Sequence, residues 1–188
     1  MTAATTKTTA LTNRLAGIKK PARHEKGQVV RGRDTHTFAT TEIDDVADIV
    51  LLNITVPSNA LHWGCWIYNA DLDTNATPTL VLDMGLYAAE AFTSTASGTA
   101  TKNAQFAALD VDALVDGSTA GQAATTNFTA LAPPSATFAP ADGSQAYWEI
   151  LGYDFDPKTS FLIGVTNSAV SATPAAVAAT FVVEYTTD

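Results

Sequence analysis

With 188 residues, ten Lys and Arg against nineteen Asp and Glu, and one cysteine, the chain has the size of one ordinary domain and no intrachain disulfide. A chain of this length buries roughly 70% of its unfolded surface, so its core needs neither a metal nor a disulfide to hold it together. No apolar run approaches the roughly 18 residues of a helical membrane span, and no apolar stretch precedes the first charges as a secretory signal requires.

The charges are unevenly placed. Residues 1–41 hold eight basic side chains, Lys7, Arg14, Lys19, Lys20, Arg23, Lys26, Arg31 and Arg33, against Glu25 and Asp34. Residues 42–188 hold only Lys102 and Lys158 against seventeen acids. A basic leader on an acidic body concerns partners. It is either a solvated tail or an arm that lies on an acidic neighbour or on nucleic acid. Its cations are spaced at about one in four with no interleaved aromatics, so nucleic acid is not the expected partner.

In chain order, residues 1–35 show no sustained apolar period and are interrupted by Gly17, Pro21, Gly27 and Gly32; they read as an extended N-terminal arm. From residue 36 onward the pattern alternates, as a half-buried strand requires. "THTFAT" reads as a short strand. "DIVLLNITV" puts Val50, Leu52, Ile54 and Val56 on one face and stops at Pro57-Ser58-Asn59. "LHWGCWIYN" puts Trp63, Cys65 and Ile67 on one face, with Trp66 and Tyr68 on the other; "TLVLDMGLY" aligns Leu80, Leu82, Met84 and Leu86.

Residues 88–101 read as a loop. In "NAQFAALDVDALVDG" Phe106, Leu109, Ala113 and Leu114 share a helical face, with Asn103 placed as N-cap and Gly117 as stop; this is the one expected helix. The Ala/Thr/Pro-rich stretch that follows holds one short strand near 121–129 and a long loop over 124–145. "AYWEILGY", "SFLIGVTN" and "AAVAATFVVEYT" read as closing strands. About eight strands without β-α-β alternation make an all-β fold, an antiparallel jelly-roll-like β-sandwich (36–188) with one short helix, behind an arm (1–35). An immunoglobulin-like sandwich is the second choice.

Candidates for chemistry are few. Asp71, Asp73 and Asn75 fit the first three ligand positions of an EF-hand loop, but Ala76 stands where glycine must turn the chain and Leu82 where a bidentate Glu is needed. An acid pair from Asp71 and Asp73 lacks any partner that singles it out. A turn held by Asx side chains is the simpler reading. His62 reads as a core or rim histidine and Cys65 as a small hydrophobe. Trp63, Trp66 and Trp148 could stack on sugar rings, though at period-two positions indoles belong more often to a core or interface. No cofactor or metal site is expected.

One resemblance emerges once the strands are placed. "DIVLLNITVPSNALHWGCWIYNADLDTNATPTLVLDMGLY" (48–87), "DALVDGSTAGQA" (112–123) and the closing "FLIGVTNSAVSATPAAVAATFVVEYT" are similar to small virion structural proteins of tailed bacteriophages. The similarity spans 48–188. It departs from the family at "PSNALH", where small apolar residues would follow the proline, and at Ala123-Ala124, where glycines would stand. It implies a non-enzymatic part of a virion: a β-sandwich decorating or cementing the capsid exterior, with the major capsid protein and sister subunits as partners. A homo-oligomer is implied, a trimer favoured. In that reading the basic residues Lys7 to Arg33 of the arm bind the shell. The alternatives are a shell-forming jelly-roll coat protein whose arm faces nucleic acid, and a neck- or fibre-associated module that binds a receptor or carbohydrate.

Overall fold

The computed structural model describes residues 5–7, 29–46, 48–131 and 145–187. Its strands are β1 (Thr5–Lys7), β2 (Val29–Thr37), β3 (Ile49–Pro57), β4 (Leu61–Asn69), β5 (Val81–Ala88), β6 (Phe92–Ala96), β7 (Thr99–Asn103), β8 (Ala108–Ser118), β9 (Thr129–Leu131), β10 (Ser160–Ala169) and β11 (Ala178–Thr186). Two sheets run β1-β3-β10-β5-β8 and β2-β11-β4-β9, and β6-β7 is a separate hairpin. All pairings are antiparallel except β1 on β3.

Setting aside β1 and the hairpin, the eight remaining strands, renumbered along the chain, lie as 1-8-3-6 and 2-7-4-5. That order is a jelly roll, and the all-β sandwich expected from the alternation is what forms. The inner faces meet through Ile54, Val56, Leu82, Met84, Leu86, Phe161 and Ile163 on one side and Cys65, Ile67, Phe181 and Val183 on the other, all buried. A smaller cluster of Leu51, Tyr87 and Leu162 lies on the far face of the five-stranded sheet, under Phe106.

Two expected elements exchange character. Residues 108–118 are a strand, not a helix. Phe106 at φ +66 departs from helical backbone, and β8 slips register against β5 at three places. Extra residues in a bulged strand push its apolar period from two toward the helical value, and this imitates the helix pattern. Conversely, "AYWEILGY" is not a strand. Tyr147–Ile150 form a short helix, α1. The Glu149 carboxylate accepts the Ala146 N–H at 2.7 Å. Gly152 at φ +66 ends the turn, its N–H bonding Glu149 O while the Tyr153 N–H bonds Trp148 O. That pair of bonds is a Schellman stop, which outweighs the local alternation.

The short strand expected at "THTFAT" is the end of a longer one, since β2 begins at Val29 and pairs with β11 over its whole length. β2 therefore runs through the expected 35/36 division. The strand expected near 121–129 is confined to Thr129–Leu131.

Candidate interaction surface

Of the eight basic residues expected to bind a partner, Lys7, Arg31 and Arg33 are among the described residues. Arg14, Lys19, Lys20, Arg23 and Lys26 lie outside them. The structure places the three on opposite sides of the sandwich. Lys7, on β1, holds its ammonium 3.9 Å from the ring centroid of Phe106, over the small outer cluster. Arg31 and Arg33 stand on β2, whose odd-numbered residues from Val29 to Thr37 are exposed.

The outer face of the four-stranded sheet follows from register. Arg33, Val182, Trp66 and Ala130 are cross-strand partners in one row, and Arg31, Glu184 and Gly64 in the next. Arg31 Nε donates to Glu184 at 2.6 Å. Arg33 lies 5.6 Å from the ring centroid of Phe128, and Phe128 leans on Tyr68 at 5.7 Å. The Trp66 ring lies over the position a Gly64 Cβ would take, so the absence of that atom lets the indole lie down on the sheet. Arg31, Arg33, Trp66, Phe128, Val182 and Glu184 together enclose a shallow pocket of about 220 Å³. Its floor is apolar and its rim carries two guanidinium groups on an otherwise acidic body.

Trp63 is 61% exposed. β4 gains one residue against β11 between His62 and Gly64, and this bulge reverses which residues face inward. His62 is buried before the bulge and Cys65 and Ile67 after it, so Trp63 does not share the buried face expected for it. Trp66 and Trp148 are half-buried.

The remaining chemical candidates are structural. Asp71 Oδ1 accepts the Asp73 N–H and Asn75 Oδ1 the Thr77 N–H, two Asx turns in succession. Asp73 itself is fully buried and accepts N–H groups of Asn75, Thr79 and Leu80. Burial alone would raise its pKa, but those bonds and the Ser171 hydroxyl lower it below the ordinary carboxylate value. His62 is buried against the Tyr147 hydroxyl at 3.1 Å, and burial pushes its pKa down to about 4. Burial raises the Cys65 thiol above its ordinary range. At the β5–β8 end, burial and then Asp112 push the Asp110 carboxyl up to about 6. Among the described residues no group of three or more His, Cys, Asp or Glu is arranged to hold a metal ion.

No protein-family model and no curated protein sequence matches the chain. Two solved structures share its fold. A chain from the capsid of Ralstonia phage GP4 superposes with a TM-score of 0.62 at 21% identity, covering 98% of this chain and 99% of that one. A chain from the capsid asymmetric unit of cyanophage Pam1 superposes with a TM-score of 0.54 at 18% identity, covering 90% and 92%.

Proposed function

We propose that this chain is a non-enzymatic structural protein of a phage virion that decorates or cements the capsid exterior, held to the major capsid protein and sister subunits by its basic N-terminal segment. The observation that carries this reading is the end-to-end agreement in fold with chains from two phage capsids. The likeness covers 98% of this chain and 99% of the first partner, and 90% and 92% for the second, so the shared fold takes in nearly the whole of each chain and is not confined to one segment. Charge supports the exterior position. Seventeen acids over 42–188 suit a knob facing water, and a cationic segment suits attraction to an acidic shell, which speeds docking and makes it sensitive to salt. Several weak contacts on one tether add through effective concentration.

The test is co-sedimentation with preformed heads assembled without the protein. Full-length chain should pellet with the heads, be released by about 0.5 M salt as exposed charge pairs are screened, and lose at least about tenfold in affinity when residues 1–28 are removed. The cut belongs before Val29, because a later one removes ladder partners of β11. Unchanged occupancy after truncation refutes the role of the segment, and failure of the full chain to bind heads refutes decoration. A shell-forming coat protein with an inward arm is the competing reading; nucleic acid retained by the purified protein at physiological salt would favour it.

A further inference from the structure

Outside the pocket on the β2-β11-β4-β9 face, one other exposed feature has the opposite character. In the loop after α1, Phe155 is 56% exposed and stands between Asp154 and Asp156. The loop is built rather than slack. The Asp154 carboxylate accepts the N–H groups of Ser97 and Gly98 at 2.9 and 2.8 Å, and its own N–H bonds Thr95 O. Asp156 Oδ1 accepts the Ser58 hydroxyl at 2.5 Å and the Lys158 N–H at 2.8 Å. Two anchored aspartates thus hold an aromatic ring out into solvent, and a side chain fixed before contact loses less entropy on binding.

We propose that Phe155 of one copy inserts into the Arg31/Arg33/Trp66/Phe128 pocket of a second copy, with Asp154 and Asp156 facing the two arginines. The proposal deepens the reading above, since it names the contact by which the subunits associate. Complementarity carries it. The pocket has an apolar floor at Val182, two aromatic walls and a rim of two guanidinium groups, of which Arg31 is already paired with Glu184 and Arg33 carries the unbalanced charge; the loop has an apolar tip and anionic flanks. Among the described residues Arg33 has no carboxylate partner and rests only on the Phe128 ring, so a second carboxylate meets an unclaimed guanidinium.

The loop is anchored at Ser58, just before β4, whereas Trp66 lies five residues beyond the start of that strand, roughly 17 Å along it. The contact therefore joins two different patches on two copies. Such a head-to-tail interface closes into a ring where its rotation closes and runs on as a filament where it does not; a ring is the form expected here.

Mass measurement of the full chain at about 50 µM tests this, with the exposed-site variants Phe155→Ser and Arg33→Glu. Wild type should be a closed oligomer, and each variant should weaken association at least about tenfold, as truncating an aromatic or Arg anchor does. Mixing the two variants should give a one-to-one dimer and nothing larger. Only one intact contact remains in that mixture, that of Phe155 from the Arg33→Glu copy with the pocket of the Phe155→Ser copy. A photo-cross-linker at position 155 should map to 66, 128 or 182 of the second copy. A monomeric wild type, an oligomer untouched by both variants, or cross-links elsewhere would overturn the contact. Head binding is read separately. Loss of oligomer without loss of head affinity leaves the capsid reading standing, and an intact oligomer that ignores heads sinks that reading alone.

Discussion

His62 is the residue whose chemistry most directly limits stability. It is neutral in the fold because charging it means carrying a proton into a site closed by Tyr147. Its pKa of about 4 lies below the unfolded value of 6.5. Between those values the unfolded chain binds more protons, so stability is complete above pH 6.5 and falls as pH drops toward 4. From the size of the gap the loss by pH 5 is about 2 kcal/mol. Urea titrations at pH 7.5 and 5 should show it, and His62→Gln should flatten the slope while costing stability at pH 7.5. Asp110 works in the opposite sense. Its pKa of about 6 lies above that of a free carboxylate, so acidification through 6 to 4 favours the fold, and Asp110→Asn should steepen the acid loss. Asp73 is the other singular group: its buried carboxylate accepts three backbone N–H groups, that of the buried Leu80 among them. Asp73→Ala should cost about 3 kcal/mol, and Asp73→Asn less because one acceptor oxygen remains. The run that looked like the mouth of a calcium site is thus a folding device, and its Asx spacing was enough to read it as a turn.

At the scale of elements the outer cluster of the five-stranded sheet is the instructive case. The Tyr87 ring occupies the space where a Gly164 side chain would stand: Tyr87 pairs with Leu162 and Gly164 with Gly85, so the ring lies diagonally across adjoining β5 and β10. Gly164→Ala must displace the ring and should cost about 1–3 kcal/mol, the usual penalty of overpacking. The Tyr87 hydroxyl is buried with no partner among the described residues, so Tyr87→Phe should stabilise by about 1 kcal/mol in the same urea assay. The strands β3, β5, β10 and β11, and β4 beyond its bulge at Trp63, were legible because their inward positions are nearly all apolar. β2 was not. Two of its inward places hold Gly32, which makes room for the Ile54 side chain, and Asp34, which accepts the Asn53 N–H at 2.6 Å across the sandwich. Tertiary contacts chose those residues, and no local pattern announces them. For the same reason Arg31 and Arg33 read as arm residues and not as the rim of a pocket. Phe128 sits in a stretch rich in Ala and Thr, and only the β4–β9 register brings it beside Arg33.

At the scale of the molecule the question is how far the jelly roll depends on the basic segment. β1 adds three residues in parallel to the edge of β3, and Lys7 covers Phe106. A parallel ladder of that length at an edge, with one exposed cation over a ring, accounts for about 1–2 kcal/mol. Among the described residues none of the buried residues of the two-sheet core precedes Val30, so that core is expected to form without either. A chain of residues 29–188 should therefore unfold cooperatively, with a urea midpoint lowered but its m-value nearly unchanged, because m follows the surface exposed on unfolding. That outcome also fixes the meaning of the head-binding assay: a truncated chain that is folded yet no longer sediments with heads has lost a contact and not a core. A collapsed m-value or a non-cooperative transition would instead make the segment part of the fold. The basic residues would then act by completing the sheet edge, with no role left for them in reaching across to a shell.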